Sequence, residues 1–142
     1  MTIAAILRGK GGDVVQVRST DTVLSAVQLL VDRRIGCVPV VDDGEVVGIF
    51  SERDLVYRVA TDGAAALDHP VGDLMTSPAI TVDDKMPVIH GLSLMTKRRI
   101  RHLPVVVDGQ LVGLISIGDL VKFRIDSIES EASALRDYIQ TA

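Results

Sequence analysis

Residues 33–56, RRIGCVPVVDDGEVVGIFSERDLV, return at 98–121 as RRIRHLPVVVDGQLVGLISIGDLV. Pro39 and Pro104 stand 65 residues apart, as do Gly44 and Gly109, Gly48 and Gly113, Ser51 and Ser116, and Asp54 and Asp119. The same offset runs back without a gap to Val17 and Val82. Chance does not hold such a register, so the chain is one supersecondary unit written twice, and its fold must be built from two copies of that unit.

Each copy reads alike. A short β-branched run (Val14 to Val17; Ala79 to Val82) predicts a strand. Apolar residues then recur at helical spacing: Val23, Val27, Leu30 and Val31 in the first copy, Val88, Leu92 and Met95 in the second. Asp21-Thr22 stands where an N-cap belongs, and Pro87 is tolerated in the first turn of its helix. Two strands follow, CVPVV and EVVGIF or HLPVV and QLVGLI, joined by Asp43-Gly44 or Asp108-Gly109, a favoured hairpin turn. A second helix starts at Ser51 or Ser116. The unit is β-α-β-β-α, too small to bury both faces alone, so the expectation is an α/β (α+β) fold of two pseudo-symmetric repeats packed sheet-to-sheet.

The expected divisions are 1–62 for repeat 1 with an N-terminal helix, 63–126 for the linker and repeat 2, and 127–142 for a helical extension. The linker ATDGAAALDHPVGDLMTSP is small and polar, with a short helix expected around Val71 to Met75. Beyond the second unit, Ile125, Ile128, Ala132, Leu135 and Ile139 recur at spacings of 3 and 4, so the last helix presents an apolar stripe to its own module or to a partner chain. At 142 residues with 47% hydrophobic and 24% charged residues, this is a globular composition. A net charge of -4 argues against a general nucleic-acid binder. A single cysteine forms no internal disulfide, no run approaches the length of a membrane span, and no signal peptide is evident, so a cytoplasmic location is expected.

The repeated Gly-x-x-Ser-x-x-Asp has a structural reading and a binding one. Ser51 and Ser116 suit helix N-caps, with Asp54 and Asp119 reaching back. The same corner offers amides and a hydroxyl to phosphate oxygens, an Asp to adjacent ribose hydroxyls, and aliphatic strands to a purine. With VPVVDDGEVVGIFSERDL and LPVVVDGQLVGLISIGDL in a duplicated β-α-β-β-α unit, nearly the whole chain resembles a tandem pair of CBS domains, a Bateman module. The resemblance implies a regulatory module, not an enzyme. It would bind an adenosine nucleotide (AMP, ADP, ATP or NAD) in clefts between the repeats, act on an unknown target protein, and pair into a homodimer. It implies a first cleft of Ser51, Arg53 and Asp54 with Gly36, Cys37, Val38 and Pro39, bordered by Val14 and Val15. The second would hold Ser116, Gly118 and Asp119 with Arg101, His102, Leu103 and Pro104, bordered by Thr76, Pro78, Ala79 and Ile80. The charges differ between copies, so the clefts should not be equivalent, and a protonated His102 would strengthen phosphate binding at low pH.

Three alternatives stand beside this reading: a dimerisation module with degenerate clefts, a nucleic-acid module using KRRIRH at 97–102, and an enzyme, which would need a metal or residues outside the motifs named here. That run lacks interleaved aromatics and reads as a helix end plus phosphate ligands. GKGG at 9–12 matches no phosphate-loop pattern and reads as a mobile turn. The three histidines and Cys37 have no metal-ligand spacing, and Cys37 reads as a small buried hydrophobe.

Overall fold

The structure is a computed structural model describing residues 1–11 and 13–141; Gly12 of the GKGG stretch lies outside the described residues. Its elements are α1 (Ile3–Lys10), α2 (Val23–Arg33), β1 (Cys37–Asp42), β2 (Glu45–Ser51), α3 (Glu52–Asp62), a 3₁₀ segment (Gly63–Asp68), α4 (Val71–Leu74), α5 (Val88–Arg98), β3 (His102–Val107), β4 (Gln110–Ser116) and α6 (Ile117–Thr141). Gly9 and Lys10, read above as part of a turn, end α1, and Gly11 caps it at φ 87°.

The duplicated sequence gives duplicated geometry. Both hairpins, β1–β2 and β3–β4, are antiparallel and shift register at the same place, after Val40 and after Val105. Their turns have positive φ at both central residues, 50° and 81° at Asp43-Gly44 and 51° and 78° at Asp108-Gly109, as the type I′ turn requires. Thr22 caps α2 by accepting from the Ser25 amide at 3.1 Å. The strands expected at Val14–Val17 and Ala79–Val82 shrink to one parallel bridge each. Val17 donates to Pro39 O at 3.1 Å and Val82 to Pro104 O at 3.0 Å. The proline carbonyls remain available although their nitrogens cannot donate.

Two cores result, and each borrows from the other half of the chain. The first holds Val17, Val23, Ala26, Leu30, Val38, Val40 and Phe50, completed by Val71 and Leu74 of α4. The second holds Val82, Val88, Met95, Leu103, Val105, Ile115 and Leu120, completed by Ile3 and Ile6 of α1. Thus α1, grouped by sequence with repeat 1, packs in the core of repeat 2. It is tied there by Ile3 N–H to Met86 O and Ala4 N–H to Asp84 O, both 2.9 Å, and by Val88 N–H to Met1 O at 3.1 Å. Burying its two isoleucines stabilises that docking by roughly 3–6 kcal/mol. In the mirror arrangement, Val23 N–H donates to His69 O at 2.9 Å and Val71 N–H to Asp21 O at 2.7 Å.

The motif glycines take their meaning from this exchange. Gly48 and Gly113 lie inside β2 and β4, opposite Val40 and Val105, not at a hairpin end. A Cβ on Gly48 would stand 2.8 Å from both Met75 Sδ and Thr76 O, and one on Gly113 would collide with Leu7. At Gly48 glycine is required because the backbone leading into the other repeat passes directly over the strand, whereas at Gly113 only the movable end of the Leu7 side chain stands in the way. The two hairpins meet through β2 and β4, leaving a cleft on either side.

Candidate functional site

At the start of α3 the sequence builds a reciprocal cap. Ser51 N–H donates to Asp54 Oδ2 at 2.9 Å, and Asp54 N–H donates to Ser51 Oγ at 3.3 Å. Ser116 and Asp119 repeat it at 2.9 and 3.1 Å. Both motifs are therefore caps in the free protein. The next amide is also spent: Glu52 N–H donates to Gly36 O at 3.0 Å, and Ile117 N–H to Arg101 O at 2.8 Å. The Glu52 and Asp54 amides and the Ser51 hydroxyl, which also donates to Asp54 Oδ2 at 3.1 Å, are thus already engaged within the protein.

The donors come from the other repeat. A cavity of about 640 Å³ is lined by Gly36, Cys37, Ile49, Ser51, Glu52, Arg53 and Asp54 from repeat 1. Thr76, Pro78, Ala79 and Ile80 from the linker and Arg98, Arg99, Ile100, Arg101 and His102 from repeat 2 complete it. The volume suits a small-molecule ligand. Four arginines and two acidic residues stand on its lining, and arginine grips phosphate through paired donors. Thr76 binds the site together: its backbone exchanges hydrogen bonds with Ile49 at 2.8 and 3.0 Å, and its hydroxyl donates to Asp54 Oδ1 at 2.9 Å.

The residues are thus regrouped relative to the sequence expectation. Thr76, Pro78, Ala79, Ile80, Arg101 and His102, assigned above to the Ser116–Asp119 cleft, stand with Ser51, Arg53 and Asp54. Val14 and Val15 leave that group and line a separate cavity of about 200 Å³ with Leu7, Lys10, Ile35, Cys37, Gly113 and Leu114. The pseudo-twofold explains the exchange, because each capped helix start faces the leader and the α–β junction of the opposite repeat. Val38 and Leu103 are fully buried core residues. Neither they nor the buried Pro39 and Pro104 line either cavity. Gly118 is exposed and lines neither.

At the second corner a lysine does what Thr76 does at the first. Lys10 Nζ donates to Leu114 O at 2.9 Å and to Asp119 Oδ2 at 2.7 Å; Leu114 is the counterpart of Ile49. Neither Ser116 nor Asp119 lines the smaller cavity. Burial alone would raise the Asp119 carboxyl, but hydrogen bonds from Lys10 and the Ser116 amide, with the Lys10 charge, hold it below its ordinary value. Burial and the nearby Lys10 ammonium push His102 below the ordinary imidazole value, against weaker opposition from Asp119. The protonated His102 expected from sequence is disfavoured in the free protein. Burial, with the Asp54 and Glu52 charges, pushes the Cys37 thiol up to about 12, so this residue on the wall of both cavities is an inert hydrophobe.

Sequence reasoning missed Arg98, Arg99 and Ile100 as cleft residues and passed over Leu7 and Lys10. The signal for the arginines was the KRRIRH run itself. For Lys10 the 65-residue offset offers only Met75, an apolar residue, as counterpart.

Comparison with known proteins agrees with this architecture. The CBS domain family profile matches twice, over residues 11–61 and 71–126. The mitochondrial CBS domain-containing protein CBSX3 of Arabidopsis thaliana is 34% identical over 98% of this chain and 72% of its own length. The structure of the CBS-domain protein ATU1752 from Agrobacterium tumefaciens superposes with a TM-score of 0.83 at 42% identity, covering 87% of this chain and 99% of that one. The CBS domain pair of protein MJ0100, solved in complex with 5′-methylthioadenosine and S-adenosyl-L-methionine, superposes at 0.78 with 25% identity over 89% of this chain and 98% of its own. With two matched domains, two cores and one shared seam, the chain belongs to the CBS-domain family as a tandem pair.

Proposed function

We propose that the chain is a regulatory module that senses an adenosine nucleotide (AMP, ADP, ATP or NAD) in its first cleft, and that it is not an enzyme. The observation that carries this reading is one cavity gathering Asp54, the apolar Pro78–Ile80 segment and Arg98, Arg99 and Arg101. A carboxylate suits ribose hydroxyls, an apolar edge suits a purine, and guanidinium groups suit phosphates. The adenosine-containing ligands of the MJ0100 pair support the same chemical class. Arg98 to His102 of the 97–102 cluster line the cavity, which favours phosphate binding there over a nucleic-acid surface. Because the lining comes from both repeats, a ligand that bridges them favours one inter-repeat arrangement and shifts its population. The target protein reads that shift.

Calorimetry with AMP, ATP, NAD, S-adenosyl-L-methionine and adenosine tests the reading. The expected result is one site per chain, with phosphorylated ligands bound more tightly than adenosine. No binding of any adenosine compound at millimolar concentration would leave a dimerisation module with degenerate clefts.

A further inference from the structure

After Leu120, α6 leaves its own module. Leu120 is buried and Phe123 and Ser127 are half-buried, but every described residue from Ile128 to Thr141 is exposed. A projecting helix of that length is marginal in water unless an apolar face is covered. Its apolar residues follow a coiled-coil heptad: Val121, Ile125, Ile128, Ala132, Leu135 and Ile139 at spacings of 4, 3, 4, 3 and 4. The large members of this seam are 40–64% exposed. At about 100° per residue the seam points well away from Leu120, Phe123 and Ser127, which hold the helix to the module.

The flanking charges say what covers it. With Ile125 and Ala132 at a, Arg124 and Glu131 occupy g, and Glu129 and Arg136 occupy e. In a parallel, in-register pair each g residue meets the e residue five positions later on the other helix. Arg124 then faces Glu129 of the partner subunit, and Glu131 faces Arg136 of the partner subunit; the twofold makes every such contact attractive. An antiparallel pair with full overlap instead sets Glu129 and Glu131 against themselves and Lys122 against Arg136. An antiparallel pair shifted to match Arg124 with Glu131 leaves Leu135 and Ile139 uncovered. We propose that α6 forms a parallel two-stranded coiled coil with α6 of a second copy of this chain, from Val121 to Ile139.

Light scattering of the full chain at tens of micromolar, on the order of typical working concentrations, should give twice 15.2 kDa. Ile128→Glu and Leu135→Glu should each give the monomer with an unchanged melting curve for the module. Ala132→Cys, at an a position, should oxidise to a disulfide-linked dimer, since buried Cys37 does not compete. Arg124→Glu should weaken dimerisation at least ten-fold, and adding Glu129→Arg should restore it. A wild-type monomer, a dimer that survives both seam variants, an unlinked Ala132→Cys protein, or rescue of Arg124→Glu by Glu131→Arg in place of Glu129→Arg would each overturn the proposal.

Discussion

The first cleft and its symmetry mate begin from the same capped corner and end as opposites. At the first, Asp54 meets a neutral hydroxyl from Thr76, and the neighbouring strand edge is closed by backbone. At the second, Asp119 and the carbonyl of Leu114 are both taken by the ammonium of Lys10. Asp54 accepts only from neutral donors, two on Oδ2 and one on Oδ1, and so keeps its full negative charge for an incoming hydroxyl. Asp119 already has the Lys10 ammonium on Oδ2, and a carboxylate whose charge is so balanced is the weaker acceptor. Duplication supplied two corners; what stands opposite each decides which can bind.

The sharpest way to break this comparison is to exchange the carboxylates' fates. Asp54→Ala should weaken an adenosine nucleotide by ten-fold or more, since each charged hydrogen bond contributes about 1.5–3 kcal/mol. Asp119→Ala should leave binding unchanged, while both variants lose about 1 kcal/mol of stability with their caps. Calorimetry beside thermal melting separates the two effects, and equal binding losses would make the clefts equivalent.

A smaller effect is expected from the phosphate side. Arg101→Gln or Arg98→Ala should narrow the affinity gap between ATP and adenosine several-fold while leaving adenosine itself alone, measured at one fixed ionic strength.

Smaller again is the change at the second corner. Lys10→Ala breaks a part-exposed ion pair, with side chains 41% and 24% exposed, at a cost of about 1 kcal/mol or less. It should add a weaker second site per chain in a nucleotide titration. A stoichiometry that stays at one would show that Leu7 and the narrow cavity exclude ligand without the lysine.

The last effect is the slightest. The free protein's His102 should titrate below 6.5 by NMR. Because its folded value lies below its unfolded one, the folded state binds fewer protons between the two. Its stabilising contribution is therefore full above pH 6.5 and declines as pH falls through the folded value. A midpoint at or above 6.5 would restore the charged imidazole expected from sequence.

Most of the fold was legible because its signals are local and doubled. Asp-Gly turns, helical spacing and the caps at Ser51 and Ser116 sit where the sequence puts them, and the 65-residue register guarantees their repetition. The sites were legible in kind but not in partnership. Ser51 and Asp54 announce a corner, yet nothing near them in sequence says that Thr76 and Arg98–Arg101 stand opposite. That pairing follows from the pseudo-twofold, a tertiary property. The strands expected at 14–17 and 79–82 failed for a related reason: these segments cross between repeats, and only Val17 and Val82 lie close enough to a neighbouring strand to bond. Lys10 escaped notice because the first copy's leader carries a charge where the second copy's carries Met75.

The borrowing of α1 by the second core also orders events in time. During synthesis the first core can close as soon as Leu74 emerges, using contacts within one continuous stretch. Ile3 and Ile6 are made before the first core but have no partners until Val82 to Leu120 have followed, a delay of several seconds at about 5–20 residues per second. Until then a small apolar helix waits in the open, its destination not yet translated. Contacts across such sequence distances are slow to form, so docking of α1 should be the closing step of folding, and the second corner should stay unsealed until that step is complete.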